Sequence, residues 1–349
     1  MADLHIRRDG RAGRITLTRA SALNALNYEM CLALDGALRI WADDPQIALV
    51  MLDAQGERAF CAGGDIAEIY ARGRAGDYGY ARQFWADEYR MTARMAQYPK
   101  PIVSFLHGFV MGGGVGIGCH ASHRVVGESA RIAMPECGIG LVPDVGGSLL
   151  LARAPGALGA YLGLTGARMG PGDALRAGFA DLFLPEAEWT EVKAGLAATG
   201  DVAILHRQDA PEGILAQSGA LIERIFALPH LVDIAAALAA EPGEFAAQTL
   251  KSLRHNAPLA MACTLQMQRD LGRAGTIHAA LAQEYRYTWR AMTQGDFLEG
   301  IRAAIIDRDR TPRWQHDSLS AVKQHEVAAM LAPLGAEELS FEDRGESEA

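Results

Sequence analysis

Apolar and polar residues alternate over Arg14–Thr18 (RITLT), the pattern of a strand with one buried face. Beyond it, Ala22, Leu23, Leu26, Met30, Leu34 and Leu38 recur at helical spacing. Ser21 is placed to cap that helix and Asp44-Pro45 to stop it. The apolar run Ile47–Leu52 is too short for a helix and suits a buried strand. A Gly-rich turn, CAGGD, then leads into a helix at Ile66–Tyr70, and Tyr80–Gln97 reads as a long helix ended by Pro99 and Pro101. Pro101–Gly108 is a second buried strand, after which MGGGVGIGCHASH turns into a short helix. Arg124–Val126 and Arg131–Met134 are short strands, followed by the loop PECGIGLVPDVGG.

From about Glu186 the pattern changes to helical periods alone. Phe226–Ala240, Glu244–Arg254, Leu259–Leu271 and Ile277–Gln294 are the helices it predicts. The expected organisation is an α/β core over residues 1–195, a helical region over 196–335, and an acidic, weakly apolar tail over 336–349 that frays.

Composition narrows the classes. The chain has 349 residues, half of them apolar, which is enough for a large core. Its net charge of -9 and lack of a basic run argue against nucleic acid as a partner. No run of 18 apolar residues occurs, so no membrane span is expected. The first residues lack the apolar core of a signal peptide, and the cytoplasm is the expected compartment. Five cysteines, widely spaced and odd in number, do not suggest a disulfide framework or a zinc site.

Candidate chemistry lies in three stretches. Glycines 112, 113, 114, 116 and 118 fit neither the dinucleotide nor the phosphate-loop spacing. They suit a tight strand-to-helix turn, or a bare backbone that lets a ligand carbonyl approach an N–H. A second turn, Phe60–Asp65, also follows a buried strand, and two such turns that converge could direct two N–H groups at one oxygen. Asp65 reads there as a helix cap. Glu136 and Asp144 lie in an otherwise apolar loop. If both face one cleft, desolvation and repulsion raise at least one pKa, giving a base or nucleophile beside an acid; the alternative for each is a helix cap or an Arg partner. His120 and His123 have no third ligand in sight, so structural roles are expected and no metal. Cys61 reads as a small core residue.

The motifs AFCAGGDI (59–66), HGFVMGGGVGIG (107–118), MPECGIGLVPDVGG (134–147) and LTGARMGPGDALRAGFAD (164–181) resemble, in order and interval, those of the crotonase superfamily. The resemblance implies a spiral of β-β-α units, with oxyanion-hole donors at Ala62 and Gly113. Hydratases of that superfamily carry one catalytic glutamate just after the GGG turn, where this chain has Gly116, and a second that is kept as Glu136. They carry a small residue where this chain has Asp144. That exchange, together with residues 284–314 and 253–264, is similar to the 3-hydroxyisobutyryl-CoA hydrolase subfamily, and the likeness runs from about residue 10 to 316.

The resemblance implies hydrolysis of a short 3-hydroxyacyl-CoA thioester. Glu136 would serve as nucleophile or base, Asp144 as ligand of the 3-hydroxyl or as acid, and Glu88 as a further substrate contact. CoA would arrive as part of the substrate, no separate cofactor is expected, and a homo-oligomer is compatible. The rival readings are an enoyl-CoA hydratase or isomerase, and a non-catalytic acyl-CoA binder.

Overall fold

The structure is a computed structural model that describes residues 3–342. Strands β1 (Leu4–Asp9) and β2 (Ala12–Leu17) form an antiparallel hairpin, and the rest of the sheet system is parallel. Helix α1 (Tyr28–Asp43) leads to β3 (Leu49–Ala54) and β4 (Ala59–Cys61), then α2 (Ile66–Arg74) and α3 (Tyr78–Ala96). The next unit is β5 (Ile102–Leu106), β6 (Phe109–Met111) and α4 (Gly113–Cys119). A third comprises β7 (His123–Val126), β8 (Arg131–Ala133) and helices α5 (Gly147–Arg153), α6 (Leu158–Thr165) and α7 (Pro171–Ala177). Strand β9 (Leu182–Phe183) closes the series.

Each unit gives one strand to each of two sheets, ordered β1-β2-β3-β5-β7-β9 and β4-β6-β8. This is the expected spiral of β-β-α units. Every residue of β5 is buried, because both faces of the larger sheet are covered. Leu49, Met51, Val103 and Phe105 face Trp189 and Leu196 of α8 (Trp189–Thr199). Their neighbours Val50, Leu52, Ile102 and Leu106 face the main core. The period-two alternation is hidden in the sequence because both sides are apolar.

Helices α9 (Ile214–Phe226), α10 (Leu231–Ala240), α11 (Glu244–His255), α12 (Pro258–Leu271), α13 (Ile277–Gln294), α14 (Phe297–Ile301) and α15 (Gln324–Leu331) follow. Among the described residues no helix is long and apolar enough to cross a membrane. The helices are not a satellite of the core: buried residues of α12 and α13, such as Met261 and Tyr287, join the same apolar cluster as Val110 and Ile132.

Several local expectations change. The first helix starts at Tyr28, capped by Asn27, whose side chain accepts the Met30 N–H at 2.8 Å. Ser21 lies instead in a short 3-10 turn, and Leu23 and Asn24 take left-handed conformations that no helix allows. The segment Phe226–Ala240 is broken at 227–230, where Pro229 cannot continue a helix. The tail assigned to 336–349 is docked as far as it is described. Glu338 pairs with Arg286 at 2.6 Å, Leu339 is buried, and Phe341 stacks on His278 at 4.4 Å. Residues 343–349 lie outside the described residues.

Asn24 is the buried brace of the loop ahead of β4. Its Nδ2 donates to Gln55 O at 3.0 Å and Ala59 O at 2.9 Å. Asn24→Ala is expected to lower unfolding free energy by about 2–3 kcal/mol in urea titrations, since it strands two carbonyls and keeps a left-handed residue.

Candidate active site

Residues 23–26 pair with the first Gly-rich turn. Ala62 N–H donates to Leu23 O at 3.0 Å, Leu26 N–H to Gly63 O at 2.8 Å, and Asp65 N–H to Leu26 O at 2.8 Å. The parallel bridge Leu26↔Gly64 turns the N–H of Gly64 away from Leu26. This corrects the expectation for Ala62, whose amide is consumed inside the turn. Gly64, two residues on, has no protein acceptor among the described residues. Its nitrogen lies 3.4 Å from where a Cβ on Gly113 would stand, so the backbones of the two turns run side by side there.

The second turn needs its glycines for distinct reasons. Gly112 has φ +49°, and a Cβ there would come within 3.1 Å of Glu136 Oε1. A Cβ on Gly114 would strike Cys61 O at 2.1 Å. The start of α4 therefore lies directly against β4, and Gly112 and Gly113 line the cavity.

That cavity, of about 110 Å³, is lined on its polar side by the two turns and by Glu88, Glu136 and Asp144. Phe84, Trp85, Ile139, Leu141 and Phe297 make up much of its apolar wall. Glu88 comes from α3, Glu136 from a 3-10 turn after β8, and Asp144 from the loop before α5. All three are buried and none is tied to a basic residue in an ion pair. Burial, with the charge of Asp144 added, pushes Glu88 and Glu136 well above the usual carboxylate range. Burial pushes Asp144 up to about 6, although the Tyr89 O–H donates to its Oδ2 at 2.7 Å and draws it back. Glu136 Oε2 is buried without a partner.

At Gly116 the space for a side chain is already taken. A Cβ there would lie 2.8 Å from Cβ of Val145, a non-glycine residue held at φ +52°. The chain thus lacks the hydratase glutamate and the room for one. Asp65 makes no cap bond; it pairs with Arg19 at 2.7 Å. His120 is half-buried and held neutral, pushed down to about 4, and its Nε2–H donates to Val145 O at 3.1 Å. His123 stands beside Ser122 Oγ. Cys61 is buried among apolar groups, its thiol pushed up to about 12, which suits a core residue and not a nucleophile.

The profile of the enoyl-CoA hydratase/isomerase family matches residues 12–331. The chain belongs to that family. It is 35% identical to the 3-hydroxyisobutyryl-CoA hydrolase, mitochondrial, of Gallus gallus, over 97% of this chain and 91% of that one. Among solved structures, it superposes with a TM-score of 0.96 on a protein from Rhodobacter sphaeroides 2.4.1 described as an enoyl-CoA hydratase. The two are 57% identical, over 97% of this chain and all of that one. A protein from Mycobacterium thermoresistibile described as a carnitinyl-CoA dehydratase gives a TM-score of 0.94 at 38% identity, over 98% and 100% of the two chains. In this family member the carboxylate cluster and the paired turns occupy one cavity.

Sequence reasoning missed Gly64 and Tyr89. The first could have been found only from the pairing of residues 23–26 with the turn. Tyr89 lies next to Glu88 in sequence, yet on a helix neighbouring residues point apart, so nothing local links it to Asp144.

The pKa shifts set a pH signature for stability. A buried carboxyl raised above its unfolded value near 4.3 holds its proton in the fold after the unfolded chain has released it. The fold is favoured below that value, and the advantage is lost as pH rises through the folded pKa. Glu88→Gln is therefore expected to raise Tm at about pH 8 and to leave it nearly unchanged at about pH 4. Calorimetry at both pH values measures this, and a lowered Tm at the higher pH would show a charge partner for Glu88.

Proposed function

We propose that the protein hydrolyses a short 3-hydroxyacyl-CoA thioester, with 3-hydroxyisobutyryl-CoA as substrate. The observation that carries the reading is the pairing of Glu136 with Asp144 beside two free amides, while Val145 fills the space over Gly116. The name of the Gallus gallus relative agrees with it.

In this reading the thioester oxygen accepts the N–H bonds of Gly64 and Gly113, which stabilise the negative charge that develops on attack. Glu136 acts in one of two ways. As nucleophile its carboxylate adds to the carbonyl carbon, the C–S bond breaks, CoA leaves as the thiolate, and water then cleaves the anhydride. As base it takes a proton from the water that attacks. Its unpartnered Oε2 suits either role. Trapping with hydroxylamine separates the routes, since only the first leaves an acyl-enzyme. Asp144, steadied by Tyr89, binds the 3-hydroxyl, and Trp85, Leu141 and Phe297 enclose the acyl carbons. CoA comes as part of the substrate, with no separate cofactor.

Thiol release from a panel of acyl-CoA esters tests the function. The 3-hydroxyisobutyryl ester is expected to be cleaved fastest, and Glu136→Gln to lower the rate by about 10²–10⁴-fold. The rate is expected to fall as pH is lowered through the raised pKa of Glu136, because burial and the charge of Asp144 make that carboxyl gain its proton early and the anion is lost. No thiol release above background, or wild type and Glu136→Gln alike, sinks the reading.

The description of the Rhodobacter sphaeroides protein raises hydration as a second reading. Adding crotonyl-CoA and following the enoyl-thioester absorbance decides it. No decay is expected from the wild type, nor from Gly116→Glu, whose side chain must displace Val145.

A further inference from the structure

Glu284 lies in the middle of α13, wholly buried and far along the chain from the catalytic loop. Its carboxylate reaches across to that loop. Oε2 accepts the Gly146 N–H at 2.8 Å, and Oε1 accepts the Ser148 N–H at 3.1 Å and the Ser148 O–H. These amides belong to the start of α5, where Gly146 offers no side chain to cap them. Burial pushes Glu284 up to about 8, with the nearby Asp144 adding to the rise, while the three donors pull the other way.

The same loop is held at its other points. His120 donates to Val145 O, Tyr89 to Asp144 Oδ2, and Tyr287, also from α13, to Gly140 O at 3.1 Å. Val145 and Gly146 both sit in the left-handed region, at φ +52° and +77°. For Val145, a β-branched residue, that conformation persists only if its surroundings enforce it. The bonds on either side, at Val145 O and Gly146 N, supply that constraint.

We propose that Glu284 is a positioning residue for the hydrolysis: by gripping Gly146 and Ser148 it keeps Val145 left-handed, aims Asp144 into the cavity and keeps the space over Gly116 filled. The inference rests on the hydrolase reading. It also gives the helical region a task, since His120 and Tyr89 of the core hold Val145 and Asp144 but leave the Gly146 and Ser148 amides to α13.

The test compares Glu284→Gln and Ser148→Ala with the wild type on 3-hydroxyisobutyryl-CoA. Glutamine keeps the volume, but its amide nitrogen cannot accept a hydrogen bond, so part of the grip is lost. In Glu284→Gln, kcat is expected to fall about 10- to 100-fold, the scale of a misplaced catalytic group, with KM changed by less than about threefold. Ser148→Ala removes only the hydroxyl donor and keeps both amide bonds to Glu284, so its kcat should fall by clearly less than that of Glu284→Gln. Hydrogen exchange at the Gly146 and Ser148 amides should quicken in Glu284→Gln and not in Ser148→Ala. Unchanged kcat with quickened exchange would leave Glu284 a structural cap and overturn the proposal, as would unchanged exchange. A wild type that releases no thiol defeats the hydrolase reading instead, and the exchange result still judges the grip.

Discussion

The site depends on the contact between two stretches of bare backbone. Gly112–Gly113 and Gly63–Gly64 lie so close that a Cβ on Gly112 would stand 3.5 Å from Gly63 Cα and one on Gly113 3.4 Å from Gly64 N. That closeness brings the backbone of Gly64 and Gly113 into one cavity with Glu136. The cost of three successive glycines in backbone entropy is offset by the packing of α4 onto β4, which the parallel sheet β4-β6-β8 holds in register. Loop pairing completes the arrangement: the segment 23–26 takes up the amides of Ala62 and Asp65 and leaves that of Gly64 free.

Around this contact the protein buries acids without buried cations to neutralise them. Glu88, Glu136 and Asp144 share a small cavity, and Glu284 stands behind Asp144. Such a cluster works against stability, since each carboxyl must hold its proton or bear its charge in a poorly solvated place. A binding protein gains nothing from it. For an acyl transfer it supplies what the chemistry lacks in water, a strongly basic carboxylate beside a proton donor and fixed amides.

The helical region explains how the arrangement is kept. Helix α13 holds Gly140 through Tyr287, and Gly146 and Ser148 through Glu284, so the catalytic loop is secured from a segment more than a hundred residues later. The left-handed Val145 is the strained point of that loop, and it also takes the room that a hydratase glutamate would need. One backbone conformation thus bears on both how the acid points and which reaction the cavity admits.

The sequence by itself determined the α/β core, the helical second half and the residues Glu88, Gly113, Glu136 and Asp144. The core, the helices, Glu136 and Asp144 follow from periodicity and from acids set in apolar surroundings, which are local, whereas Glu88 and Gly113 are what the likeness of the motifs to the crotonase superfamily implied. Helix α13 was legible to the residue because its apolar stripe faces a core while its other side is wet. What lay out of reach depends on partners distant in the chain. The free amide is that of Gly64 and not that of Ala62 because Leu23 O, in another segment, takes the Ala62 amide. Asp65 meets Arg19 instead of capping α2, and Asn27 replaces Ser21 as cap because Leu23 and Asn24 are left-handed. A sequence shows which groups can form hydrogen bonds. Only the tertiary structure decides which are already taken, and in this cavity Gly64 N–H and Glu136 Oε2 are left over among the described residues.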